Sequence, residues 1–176
     1  MRDSVYDTGQ LEPVDSTLKV RVGEPAPDFT RPLVTAEFWE DVALANLLED
    51  GPVLLLFHPM DGAFPTTYVY NELKDRSILD GPAQVVGITI STPYDHARTI
   101  EERGIESIRG LYADPKNEVA AEYGVTHDLD GMAGVEEPRL ALFLVETDGT
   151  IAFDWVAEAW PQFPEYDALE DALAEL

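Results

Sequence analysis

Two near-continuous apolar runs, VLLLFH at 53–58 and QVVGITI at 84–90, constrain the fold more than any other feature of the chain. Neither alternates polar with apolar residues, so each reads as a strand covered on both faces. A helix signal follows each run. TTYVYNELKDRSIL at 66–79 sets Val69, Leu73 and Leu79 near one helical stripe, with Thr66 or Thr67 placed to cap it. STPYDHARTIEERG at 91–104 opens on capping hydroxyls and Pro93 and closes on Gly104. Strand, helix, strand, helix predicts a parallel core with helices on both faces.

The remaining segments fit around that core. Residues 1–19 form a polar arm without periodicity, and one domain is expected over 20–176. VGEPAPDFTRPLV at 22–34 carries three prolines and reads as an extended lead-in. EDVALANLLEDG at 40–51 spaces apolar residues as a short helix closed by Gly51, and PKNEVAAEYG at 115–124 reads as another. RLALFLVETDGTIAFDWV at 139–156 is a hairpin turning at Thr147, Asp148 and Gly149. PEYDALEDALAEL at 164–176 closes the chain as an amphipathic helix. The hairpin makes the central sheet mixed, giving a thioredoxin-like, three-layer α/β fold flanked by helices.

Charge narrows the partners. Thirty-five acids face eleven bases, a formal net charge of -24, and only Lys19, Lys74 and Lys116 are lysines. Such a surface repels nucleic acid and anionic membrane, and neither is expected as a partner. The acids are scattered through the chain rather than gathered in a tail, which favours adaptation to molar salt, where the Debye length shrinks to about 3 Å. A salt-rich cytoplasm is the expected home, since the N-terminus carries no secretory pattern. No apolar run approaches the roughly 20 residues needed to span a bilayer. The chain has no cysteine, which excludes disulfides, thiolate metal sites and thiol catalysis.

VGEPAPDF, LLLFHPMDGAFPTTYVYNEL, VVGITISTPYDHARTIEERGI, LYADPKNEVAAEYGV and FLVETDGTI follow one another in an order and spacing that resemble the peroxiredoxins of the alkyl hydroperoxide reductase and thiol-specific antioxidant class. The resemblance covers about residues 20–176 and implies hydroperoxide reduction by a thiolate in a P-x-x-x-T-x-x-C loop, supported by an arginine before the hairpin. Pro59 keeps the proline, but Ala63 stands at the threonine position and Thr66 at the cysteine position. Asn71 stands where some members carry a second cysteine. Leu140 occupies the arginine position and Arg139 lies one residue earlier, an offset that points a strand side chain to the other face. The resemblance further implies a homodimer, and a redox protein as partner. Pro138, five residues before Phe143, stands where thioredoxin-like proteins carry a cis proline; the alternative is an ordinary proline opening a strand.

An alcohol in place of a thiol changes the chemistry. A hydroxyl starts near the value for water, about 15.7. Bringing it to neutrality takes roughly nine units, on the order of 12 kcal/mol. A helix N-terminus supplies about 0.3–2 kcal/mol. Oxygen also cannot pass through the sulfenic state on which thiol peroxidases turn over. The expected reading is therefore a peroxiredoxin-like redoxin domain without peroxidase activity, with Pro59, Phe64, Thr66 and Arg139 as the candidate binding set.

Two other readings share these residues. A non-catalytic scaffold could partner a redox protein. Alternatively, His58 at the strand end could act as a base toward Thr66 in a hydrolase-like pair, against the simpler expectation of a polar ring closing a strand. His96, beside Asp95, reads as part of a solvated face. HDLDG at 127–131 lacks the spacing of a calcium loop, so neither metal nor other cofactor is expected.

Overall fold

The computed structural model describes residues 20–127 and 132–176. The arm at 1–19 and most of the HDLDG stretch, residues 128–131, lie outside the described residues.

The order of elements is β1 (Thr30–Val34), β2 (Trp39–Ala43), α1 (Leu44–Leu48), β3 (Val53–Phe57), α2 (Phe64–Asp75), a 3₁₀ turn at Ile78–Asp80, β4 (Gln84–Thr89), α3 (Pro93–Arg103), β5 (Gly110–Ala113), α4 (Glu118–Glu122), β6 (Thr126–His127), β7 (Glu137–Pro138), β8 (Ala141–Val145), β9 (Ile151–Val156) and α5 (Tyr166–Ala174). Seven strands form one mixed sheet in the order β2-β1-β5-β4-β3-β8-β9. β3, β4 and β5 run parallel, and β8 pairs antiparallel with β3. β6 and β7 make a separate two-stranded sheet.

β3 is the centre of this arrangement, and all five of its residues are fully buried. Alternation sends Leu54 and Leu56 into the layer of Val69, Tyr70 and Leu73 of α2, Ile100 of α3 and Leu169 and Leu173 of α5. Val53, Leu55 and Phe57 enter the opposite layer with Leu44 and Leu47 of α1 and Val119 and Ala120 of α4. Helices therefore cover both faces, as the two apolar runs require.

Some boundaries differ from expectation. The segment at 40–51 is half strand: β2 pairs with β1 from Trp39 to Ala43, and the helix begins only at Leu44. Pairing with β1 outweighs the helical spacing of Val42, Leu44 and Leu47, a tertiary effect that local pattern does not carry. β5, four residues long and beginning on Gly110, carries too short a pattern to signal a strand by itself. α2 starts at Phe64 with Ala63 as its N-cap and proline in its first turn, so neither threonine caps it. α3 follows its signals: the Thr92 hydroxyl accepts from the Asp95 amide, and Gly104 ends the helix at φ 62°. Pro138 is trans and is the second residue of β7, after Glu137, so it neither takes the cis form nor opens the strand; among the described residues the cis peptide is Trp160–Pro161.

Gly87 in β4 links this packing to the loop after β3. A Cβ there would collide with the Tyr70 hydroxyl, come within 2.5 Å of a Leu111 methyl and within 3.0 Å of His58 Nε2. Gly87→Ala is expected to cost on the order of 1–3 kcal/mol through overpacking. Urea denaturation checks this; an unchanged midpoint would show that the Tyr70–His58 contact is not tightly held.

Candidate functional site

The chain leaves β3 through His58, whose ring is fully buried. A buried imidazole needs partners at both nitrogens. Nδ1 lies 2.7 Å from the Pro59 carbonyl oxygen. That distance places the proton on Nδ1, leaving Nε2 as the acceptor for the Tyr70 hydroxyl at 3.1 Å. Desolvation by burial pulls the His58 pKa down to about 4, against smaller upward effects from Asp61 and the Pro59 carbonyl. Burial likewise raises the Tyr70 hydroxyl well above its ordinary value.

Thr66, in the first turn of α2, is also fully buried. Its hydroxyl donates to the Pro59 carbonyl at 3.1 Å and stands 3.4 Å from His58 Nδ1. The same carbonyl thus takes hydrogens from both side chains. His58 and Thr66 do meet, but through the protonated nitrogen. General-base catalysis needs an acceptor nitrogen facing the hydroxyl and a solvent-reachable nucleophile. The geometry disfavours the hydrolase reading on both counts.

The loop between β3 and α2 is fastened on three sides. The Met60 amide donates to the buried Glu137 carboxylate of β7 at 3.0 Å. The Asp61 amide donates to the Ser91 hydroxyl at 2.9 Å. The Asp61 carboxylate sits 2.7 Å from His96 Nδ1, and His96 Nε2 donates to the Tyr112 carbonyl at 2.9 Å. Burial pushes the Asp61 carboxyl up, but the His96 hydrogen bond and charge outweigh it and hold the group below its usual value. Arg103, at the end of α3, donates to the Thr67 hydroxyl of α2. A cleft of about 520 Å³ lies beside the loop, lined by Met60, Asp61, Ser91, Arg98, Thr99 and Arg103 among others.

His96 is therefore not part of a solvated face; it is fully buried. The spacing of His96 with Thr99 and Ile100 puts all three on the inner side of α3, a signal the sequence did carry. Asp61 and Glu137 were missed because nothing local marks either as a partner of the loop.

The candidate set divides. Pro59 and Thr66 come together through the carbonyl. Ala63 caps α2, and Phe64 stands half-buried against Trp160 with ring centroids 6.0 Å apart. Leu140 lies in the layer of α2, packed in the apolar cluster with Val69 and Tyr70. The Arg139 guanidinium donates to the Ala157 carbonyl at 3.1 Å and to the Thr126 carbonyl at 3.4 Å. Asn71 is exposed on α2.

Comparison with known proteins agrees with this architecture. Residues 22–154 match the AhpC/TSA family. The chain belongs to that family. It is 30% identical to a putative peroxiredoxin, YkuU, of Bacillus subtilis over 77% of each chain. It is likewise 30% identical to the peroxiredoxin tpx1 of Schizosaccharomyces pombe, covering 76% of this chain and 70% of that one. Among solved structures, the peroxidoxin BcpB of Mycobacterium tuberculosis superposes with a TM-score of 0.66 at 26% identity, covering 88% of this chain and 94% of that one. This AhpC/TSA member is a peroxiredoxin-like redoxin whose sequence holds no cysteine. Among the described residues no helix is long and apolar enough to cross a membrane.

The buried imidazole makes stability depend on pH with a definite sign. Folded His58 titrates at about 4, against an ordinary value of 6.5. Below 6.5 the unfolded chain takes up a proton that the folded chain refuses, so the contribution present above that pH is lost progressively down to about 4. At about 1.36 kcal/mol per unit this amounts to on the order of 3 kcal/mol. Urea denaturation between pH 7 and pH 4.5 should show a steeper decline for the wild type than for His58→Gln. Equal slopes, or imidazole NMR shifts for His58 moving near pH 6.5, would contradict the assignment.

Proposed function

We propose that this AhpC/TSA member does not reduce hydroperoxides and acts through association, with a second copy or a cysteine-bearing redox protein as its partner. The observation that carries this reading is Thr66: the residue at the family's cysteine position is fully buried and commits its hydroxyl to the Pro59 carbonyl. The energetic gap between an alcohol and a thiolate exceeds what a helix terminus supplies by several-fold. The surroundings have departed from thiol activation as well. His58 carries no charge at neutral pH, and Leu140, at the family's arginine position, is packed in an apolar cluster. Replacing Leu140 by arginine would bury a cation rather than restore an activating group. A salt-rich cytoplasm as the setting rests on the net charge of -24 alone.

Two measurements test the reading. Wild-type protein supplied with dithiothreitol and hydrogen peroxide should consume oxidant no faster than buffer, and catalytic turnover would overturn the proposal. In Thr66→Cys, the thiol pKa read by ultraviolet absorbance should lie at or above the ordinary value of about 8.5, since burial opposes the charge. A thiolate already formed near pH 6 would show that the loop still activates sulfur and that only the atom has been lost.

A further inference from the structure

The described surface carries a second feature that the redoxin reading does not use. Trp39, the first residue of β2, meets Tyr94 of α3 edge to face, with ring centroids 5.1 Å apart and planes at 77°. Phe38, Trp39 and Tyr94 are exposed at 55%, 43% and 71%. Solvated aromatic rings gathered on one patch forgo burial that core aromatics obtain, which marks a surface for recognition. Glu37, Glu40, Asp41 and Asp95 stand exposed around them. Among the described residues, Glu37, Glu40 and Asp41 enter no ion pair with a base. Arg98, one turn beyond Tyr94, lines the cleft beside Met60 and Asp61 instead.

β2 is also an outer strand of the seven-stranded sheet, so one of its backbone edges is unpaired within it. Its pairing with β1 puts Trp39 opposite Val34 and Asp41 opposite Pro32, so Trp39 and Asp41 share the α3 face while Glu40 takes the other. Carboxylates on both faces of an open edge repel a second copy of so acidic a chain. They attract a basic strand. Exposed aromatic rings bind guanidinium and ammonium groups through their faces, and Arg is the better match.

We propose that β2, with Trp39 and Tyr94, is a docking edge for an extended, arginine-rich segment of another polypeptide, which adds to the sheet as an eighth strand. Backbone hydrogen bonds along β2 hold the segment, while Asp41, Glu40 and the aromatic pair select its cationic side chains.

The probe is a dye-labelled peptide of alternating arginine and threonine, about eight residues long to match a strand, followed by fluorescence anisotropy in about 0.1 M salt. Saturable binding is expected. Trp39→Ala and the double change Glu40→Lys/Asp41→Lys should each weaken it roughly tenfold, about 1.4 kcal/mol. These side chains are exposed, and circular dichroism verifies that each variant keeps its fold. Asp171→Lys/Glu175→Lys makes the same change of net charge on α5 and its C-cap, at the β9 end of the sheet, and should leave affinity unchanged. N-methylation of the threonine amides should abolish binding by blocking the added strand. The proposal fails if no saturable binding occurs, if the α5 double variant weakens binding as much as the β2 variants, or if the N-methylated or an all-glutamate peptide binds equally well.

Discussion

A strand buried on both faces has to end without leaving a polar group stranded, and in this protein β3 is followed directly by a histidine with no access to water. The Pro59 carbonyl resolves that requirement by accepting from His58 Nδ1, while Tyr70 supplies the donor for Nε2. Each unmade bond at such a site costs about 1–3 kcal/mol, so the ring, the carbonyl and the phenol are tied into one arrangement. Tyr70 belongs to α2 and Gly87 to β4, so the arrangement fixes the helix against the sheet as well as the loop against the strand. The absence of a side chain at Gly87 is what lets the phenol and imidazole meet above β4.

The same carbonyl explains why a threonine sits comfortably at position 66. A thiol is a weak donor and behaves as a small hydrophobe when buried. A hydroxyl is a strong donor that must be satisfied, and Pro59 provides the acceptor at 3.1 Å. Thr66 is in this sense a residue of the scaffold. The loop's outer attachments, Asp61 to His96 and Met60 to Glu137, hold its shape without reference to any reacting atom. The loop geometry is thus held by contacts that involve no residue at the family's reacting position.

The core of the fold was legible because its signals are local: uninterrupted apolar runs for β3 and β4, a cap, proline and glycine for α3, and a three-residue turn for the β8–β9 hairpin. β2 and β5 were not: β2 is largely polar and exposed, β5 is four residues long, and each is defined by its neighbour in the sheet rather than by its own pattern. The site divides similarly. Pro59, Thr66 and His58 are close in sequence and were found together. Asp61, His96 and Glu137 are joined only by tertiary contacts spanning 35 and 77 residues of chain, and no local rule connects them. His96 is the instructive failure: its polarity suggested solvent, whereas its spacing from Ile100 pointed inward, and the spacing was the better guide.

Charge and burial act on different parts of this molecule. Arg76 gathers Glu72, Asp167 and Glu170, and Arg31 reaches Asp114 and Glu118, so each of these two cations is shared among carboxylates. Most of these partners are solvent-facing, and such pairs weaken as salt rises. The repulsion among the unpaired acids weakens by the same screening. With a net charge of -24, repulsive terms far outnumber attractive ones, so added salt relieves more than it removes. The Asp61–His96 contact, with side-chain exposures of 6% and 0%, lies beyond the reach of ions and keeps its strength. Screening by salt therefore acts on the surface of this chain and much less on the buried network that shapes the loop, so the two can be varied independently.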